Sequence, residues 1–363
     1  MGKRVYNFNA GPAILPVPVL EEAARAVLEY QDQGMSLLEM SHRSKPFEKI
    51  IQEAEKDIKE IMGLGDDYQV LFLGGGASLQ FAMVPMNFLP PGQAADYVHT
   101  GTWSKGAIKE ARILGKVNVA ASSEDKAFTF IPRNIAFNAA APYAHITTNN
   151  TIEGTQFHFE PDAVAPLMAD MSSDFLSMRK DFSRYSLIYA GAQKNLGPAG
   201  VTVIVLRKSM LERLNENVPV MLSYKTHSEK ASLHNTPPVF PIYVVGLVAK
   251  WIKGKGGLEA IEKENRRKAE TLYRCIDEHA DFYRAPVARE DRSWMNVVFR
   301  LPSEALEEKF VAEAKAQELS GLKGHRSVGG IRASIYNAFP YEGIEKLVSF
   351  MEAFARKEAS AGV

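Results

Sequence analysis

The chain has 363 residues, 46% of them apolar, which is enough for a sizeable core and for about two domains. Its 43 basic and 43 acidic side chains cancel, so the overall charge points to no nucleic acid and no anionic membrane, and any anion site must be local. The single cysteine, Cys275, excludes an internal disulfide and a cysteine-rich zinc site. No metal is expected, and a reducing, cytoplasmic setting is.

The opening residues, MGKRVYNFNAGPAILP, lack the apolar core of a signal peptide, and Tyr6 stands where myristoylation requires Ser or Thr. Next, Phe47, Ile50, Ile51, Ala54, Ile58 and Ile61 recur at spacings of three and four and predict a helix over Lys45 to Met62. Seven short apolar runs predict strands: Gln69 to Leu73, Ala95 to His99, Lys116 to Ala120, Tyr143 to Thr147, Leu167 to Met171, Leu187 to Ala190 and Val201 to Leu206. A long helical region runs from Pro241 to His279 and is interrupted at Lys253-Gly-Lys-Gly-Gly257, where glycines make a continuous helix costly. Its longest apolar stretch, Phe240 to Ala249, is too short to span a bilayer.

The remainder reads as a strand from Trp294 to Leu301, a helix from Ser303 to Leu319, a strand around Ile331 to Tyr336 and a last helix from Tyr341 to Lys357. Charge runs such as Glu262 to Arg267 read as solvated helix faces. The fold class is therefore α/β: a mostly parallel sheet of about seven strands flanked by helices, followed by a smaller C-terminal α+β domain. Residues 16–257 are expected to form the large domain and 258–363 the small one, with 1–15 packing on the latter.

Three features carry chemistry. The segment Val70 to Phe81 passes from an apolar strand through Gly74-Gly75-Gly76 into a helix opened by Ala77 and Ser78. Unpaired N–H groups at such a start favour a phosphate, although a plain tight turn would look the same. The dinucleotide fingerprint fails, because Leu79 occupies the position of its last glycine. Asp170 ends an apolar strand, where a buried carboxylate is expensive without a cation or several donors. Lys194 lies in a glycine-rich bend after a later strand, 24 positions beyond Asp170. One cofactor needs all three, pyridoxal 5′-phosphate: an anion site for its phosphate, an acid for its ring nitrogen and an amine for its aldehyde.

Longer motifs then become informative: NFNAGPAILP at the start, EMSHRS at 39–44, GGGASLQF at 74–81, HTGTWSKGA at 99–107, TIEGTQF at 151–157, ADMSSDFLS at 169–177, YAGAQKNLGPAG at 189–200, HNTPPVFPIY at 234–243 and GHRSVGGIRASIYNA at 324–338. Through them the sequence resembles the phosphoserine aminotransferase family, class V aminotransferases within fold type I of the pyridoxal-phosphate enzymes. The resemblance covers nearly the whole chain.

It implies that Lys194 is the Schiff-base lysine and Asp170 the partner of the ring nitrogen. Trp103 matches the aromatic that stacks on the ring, and Thr151 a hydroxyl that contacts the cofactor. Ala77, Ser78, Gln193, Asn235 and Thr236 match phosphate-cup positions. Arg332 matches the arginine for the substrate's α-carboxylate, and His42, Arg43, His325 and Arg326 the cluster for its distal anion. Asn235, Thr236, His42 and Arg43 are expected to act across a subunit boundary, which implies a homodimer with shared sites. The implied reaction is reversible, ping-pong amino transfer between O-phospho-L-serine plus 2-oxoglutarate and 3-phosphohydroxypyruvate plus L-glutamate, in serine biosynthesis. The family also acts on the analogous phosphorylated threonine of pyridoxine biosynthesis. A cysteine desulfurase is excluded because Cys275 falls in a helical run, and the paired His-Arg motifs argue against a serine–glyoxylate aminotransferase. The broken glycine fingerprint argues against a dinucleotide-dependent oxidoreductase.

Overall fold

The structure, a computed structural model, describes residues 4–361. Residues 1–3 of the expected leading segment and 362–363 of the expected small domain lie outside the described residues. The seven expected strands are all present, as β1 (Tyr68–Leu73), β2 (Ala94–His99), β3 (Lys116–Ser122), β4 (Ala144–Thr147), β5 (Leu167–Asp170), β6 (Tyr185–Gly191) and β7 (Thr202–Arg207). They form one sheet in the order β1-β7-β6-β5-β4-β2-β3. Only β7 is reversed, pairing antiparallel with β1 and β6, while every other neighbouring pair is parallel. Six strands therefore end on the same edge of the sheet, where ligands bind in open α/β sheets.

The strands read as unbroken apolar runs because both faces are covered. Val70 and Phe72 of β1, with Val203 and Val205 of β7, enter one core; Leu71, Leu73, Ile204 and Leu206 enter the other. The first core is closed by α1 (Val17–Leu28), α2 (Lys45–Met62) and a later helix, α5 (Val239–Gly254). Over the second lie α3 (Gly76–Phe88) and α4 (Thr102–Leu114).

Helix α2 has the bounds its periodicity predicts: Ser44 caps it by accepting from the Phe47 N–H, and Gly63 ends it in the left-handed region at φ 66°. It packs on α5 at close range, since a Cβ built on Gly246 would stand 3.5 Å from the Ala54 Cβ.

The second half starts with α6 (Gly257–Glu278), after a break at Lys255 and Gly256, within the expected interruption. There follow β8 (Asn296–Phe299), α7 (Glu304–Ala316), β9 (Ile331–Ser334) and α8 (Tyr341–Ala361). Strands β8 and β9 pair antiparallel, and both are shorter than the apolar runs suggest. Helix α7 stops short of Leu319 because Leu319–Ser320 leaves to pair with Tyr6–Asn7. A separate core forms here around Phe310, with Tyr283, Phe299, Phe350 and Phe354 in mostly edge-on contact, and Phe8 and Ile14 join it from the start of the chain.

Glu262 departs from the solvated face expected of its charge run. It is buried, and its carboxylate takes the Arg179 backbone and guanidinium N–H groups, both at 3.0 Å. Further along α6, the fully buried Lys268 donates to the Ile335, Tyr336 and Phe339 carbonyls, tying the helix to the chain after β9. No helix among the described residues is long and apolar enough to cross a membrane.

The α2–α5 contact yields a stability test. Gly246→Ala adds a methyl at ordinary contact distance and is expected to be tolerated. Gly246→Leu overpacks the interface and should lower unfolding free energy by about 1–3 kcal/mol in chemical denaturation.

Candidate active site

The bend carrying Lys194 is shaped by its own backbone: the Leu196 and Gly197 N–H groups both donate to the Ala192 carbonyl. It is backed by the N-terminal segment, where Ala13 N–H donates to the Gln193 carbonyl, and Gly11 lies so close that a Cβ there would stand 3.6 Å from the Lys194 Cγ. The Lys194 Nζ donates to the Thr151 Oγ1 at 2.8 Å and stands 5.6 Å from the centre of the Trp103 ring. Part of Lys194 remains open to solvent, yet dense protein around the amine pushes its pKa down to about 8, against the pull of Asp170.

Asp170 is buried at the end of β5, its Oδ1 accepting the Ser172 N–H at 2.9 Å. Ser172 in turn accepts the Gly191 N–H through its hydroxyl, which joins the acid to the strand that leads into Lys194. Burial raises the Asp170 carboxyl's pKa, and the Ser172 bonds and the Lys194 charge restrain the rise. Asp174, four residues on, is also buried, and it accepts from Thr148 and Gln156. It was not singled out in sequence, although it is the second acid in the otherwise uncharged run ADMSSDFLS.

The three-glycine turn opens α3 at Gly76, with Gly75 as N-cap in the left-handed region at φ 87° and no side chain capping the helix. A Cβ on Gly75 would come within 2.4 Å of the Leu79 side chain, so the turn requires glycine twice over. Ala77 and the exposed Ser78 form the first turn, whose N–H groups have no side-chain partner.

The remaining expected residues divide. Arg332 on β9 joins the Lys194 group: it lies close enough to lower the lysine's pKa, and its own Nε is buried without a partner. His325 feels Arg332 and Arg326, which with burial hold its imidazole below its ordinary value; its Nδ1 bonds the Ser327 hydroxyl. His325 and Arg326 also line a cavity of about 520 Å³ with Glu304, Glu307 and Glu308 of α7.

Asn235 and Thr236 are exposed and face Gly74 and Gly200 across a cavity of about 480 Å³, with no hydrogen bond to the Lys194 group. Arg43 is exposed, and the His42 Nε2 is buried without a partner. A larger cavity of about 960 Å³, between Trp251, Arg267 and Tyr341, contains none of these residues.

The donor set fits pyridoxal phosphate: a partly buried amine and a buried carboxylate at one sheet edge, a tryptophan whose Nε1 is buried unpaired, and an uncapped helix start. The amine makes its own prediction. In ligand-free protein, labelling of Lys194 by an amine-directed reagent should rise as pH passes about 8 instead of near 10.5. Asp170→Asn removes a charge that stabilises the ammonium, so the rise should move to lower pH. A midpoint near that of exposed lysines, read by peptide mass spectrometry, would contradict the burial described.

The sequence profile of the family described as aminotransferase class-V matches residues 5–347. A phosphoserine aminotransferase of Desulfatibacillum aliphaticivorans is 59% identical over 98% of this chain and 99% of its own length. The solved phosphoserine aminotransferase of Bacillus circulans subsp. alkalophilus superposes with a TM-score of 0.96 at 50% identity, over 98% of this chain and 99% of that one. The pyridoxal-phosphate-bound phosphoserine aminotransferase of Trichomonas vaginalis does so with a TM-score of 0.91 at 38% identity, over 96% of this chain and 100% of that one. The chain belongs to the class V aminotransferases and, within them, to the phosphoserine aminotransferase family.

Proposed function

We propose that this protein transfers an amino group reversibly between O-phospho-L-serine plus 2-oxoglutarate and 3-phosphohydroxypyruvate plus L-glutamate, with pyridoxal phosphate as cofactor, in serine biosynthesis. The observation that carries the reading is the Lys194 amine, its pKa brought to about 8, bonded to Thr151 and within the field of the buried Asp170. Asp170 would hold the protonated ring nitrogen, Trp103 would cover the ring face, and Thr151 would contact its edge. The Ala77 and Ser78 turn, with Gln193, would take the phosphate. When bound, the cofactor supplies an aldehyde for the amino group and a ring that accepts the electrons left when a Cα–H bond breaks.

The chain's own part is positioning and proton handling. With its pKa lowered to about 8, the Lys194 amine can take the proton leaving the substrate's α-carbon and give it back, because that pKa lies near working pH. Arg332 would bind the α-carboxylate common to both amino acids, its planar fork suiting a bidentate pair. His42, Arg43, His325 and Arg326 would bind the distal phosphate of one substrate and the distal carboxylate of the other. A single distal cluster has to accept both, since the two half-reactions use the same site.

Asn235, Thr236, His42 and Arg43 make no bond to the Lys194 group within their own chain, which supports a homodimer in which each subunit completes its partner's site. In this reading residues 16–257 hold the cofactor, residues 258–363 carry Arg332 and its neighbours, and the enzyme works in the cytoplasm. The phosphorylated threonine analogue of pyridoxine biosynthesis is a second substrate to assay.

A coupled assay should show turnover of phosphoserine and little of serine; equal rates with both would overturn the substrate assignment. Lys194→Ala should abolish turnover while the protein still binds the cofactor's phosphate. Arg43→Ala should raise KM for phosphoserine and glutamate alike by about tenfold or more, the worth of a charge-assisted hydrogen bond of about 1.5–3 kcal/mol. Unchanged kinetics would remove Arg43 from the distal site.

A further inference from the structure

The turn Thr151 to Gly154 joins two short paired strands, Asn149–Asn150 and Thr155–Gln156. It is pressed against the second half of the molecule: Gly154 has φ 82°, and a Cβ there would stand 2.4 Å from the Val298 side chain on β8. Thr151, at its start, receives the Lys194 amine. Two residues on, the Glu153 Oε1 accepts both the Thr102 N–H at 2.8 Å and the Thr102 hydroxyl at 2.7 Å. Thr102 is the first residue of α4 and immediately precedes Trp103, so one turn fixes both the lysine and the tryptophan.

The other oxygen of Glu153 is unusual. Oε2 is buried and has no hydrogen-bond partner. It is crowded by backbone, since a Cβ on Gly101 would approach it to 2.6 Å. Val298, on which Gly154 presses, is the cross-strand partner of Arg332, which brings the arginine to this turn without an ion pair to Glu153. Burial raises the Glu153 carboxyl's pKa, and the Thr102 bonds and then the Arg332 charge restrain the rise. The Arg332 Nε is likewise buried and unpaired. A carboxylate and a guanidinium thus share a water-poor space, close enough to feel one another and not joined.

We infer that Glu153 is a positioning residue with two tasks. One oxygen anchors the start of the Trp103 helix, and the other serves as a fixed counter-charge near Arg332 that stays in place when a substrate carboxylate arrives. The inference rests on the proposed role of Arg332 as the carboxylate-binding group. Its value lies in turnover: a ping-pong enzyme must release a keto acid from the same arginine that bound the amino acid. A standing negative charge near that arginine weakens ground-state carboxylate binding, which speeds release without touching the interactions peculiar to the transition state.

Three variants of the holoenzyme test this, with glutarate, the carbon skeleton of glutamate without its amino group, as the probe in calorimetric titration. Glu153→Gln keeps an oxygen for Thr102 and removes the charge; glutarate should bind about three- to tenfold tighter, and KM for phosphoserine and glutamate should fall together with no rise in kcat. Thr102→Val weakens the anchor and keeps the charge, so kcat should fall while glutarate affinity stays within twofold. Glu153→Ala loses both functions and should combine tighter glutarate binding with low kcat. Glutarate affinity that is unchanged or weaker in Glu153→Gln, or that moves equally in Thr102→Val, would overturn the counter-charge. Wild-type turnover of phosphoserine checks the proposed function separately, so failure of one reading leaves the other standing.

Discussion

Taking an amine and a carboxylate out of water at the same sheet edge is the constraint on which the rest of this molecule depends. Each group alone costs several kcal/mol to bury while charged. Lys194 and Asp170 offset part of that cost, because each favours the other's ionised form, yet burial prevails at both: the amine's pKa falls to about 8 and the carboxyl's rises. A core built only for stability would place apolar groups here. Keeping a strained pair makes sense if a ligand completes the compensation, with a cation for the acid and an electrophile for the amine. The parallel sheet serves that requirement by bringing β1, β5 and β6 to one edge, so the glycine turn, the acid and the lysine bend converge without further architecture.

The pair can be held only if its surroundings do not yield, and the surroundings are a polar seam between the two halves. Asn149 donates to the Ser173 hydroxyl and to Asn296, each at 2.7 Å; Asn296 donates to Ser334 and Tyr336; and the Tyr336 hydroxyl reaches the Ala10 carbonyl. Asn195, next to Lys194, donates to the Ser173 carbonyl and accepts from the Asn337 N–H, while Asn265 donates to Asn337 and to the Ser177 carbonyl. Buried networks of this kind specify one arrangement instead of merely adding stability, and here the Asn265 Oδ1 is left without a partner. Around the cleft the accounting differs. The Trp103 Nε1, Arg332 Nε and Glu153 Oε2 are buried and unpaired, at a cost of about 1–3 kcal/mol for such a group. Similar orphans at Tyr185 and Thr202 lie within the sheet, so an unpaired atom alone does not mark a ligand. What sets the three apart is their company with Lys194.

Much of the fold was legible because the strands of the large sheet are apolar on both faces and bounded by helices of clear period. The shorter pairings were not, since Tyr6–Asn7 and Leu319–Ser320 are two residues each and acquire meaning only when brought together. The buried Glu262 was misread for a related reason: its partner Arg179 is 83 positions away, and no local pattern announces it. In the site, Lys194, Asp170 and the glycines stood out because each breaks an apolar run at a strand end. Trp103, Thr151 and Arg332 were legible only through longer motifs, as a tryptophan after Gly-Thr is by itself core. Glu153 lay inside one of those motifs and was passed over, because its significance comes from Thr102 and Arg332, which the sequence separates widely.

Charge balance bears on how such a site selects its substrate. With 43 basic and 43 acidic side chains the molecule has no net field to draw anions from a distance, so recognition must come from a few groups at contact range. At contact range the environment matters more than the count of charges. Arg332 is half-buried with an unsatisfied Nε, which makes a carboxylate that completes its bonds worth more than one meeting a solvated arginine. Unopposed, that advantage would also hold the product. If Arg332 has its proposed role, a fold that buries the cation gains from burying an anion near it, close enough to moderate its pull and too tightly anchored elsewhere to neutralise it. The turn that carries Thr151 and Glu153 meets both conditions, tied to Lys194 at one end and to the Trp103 helix at the other.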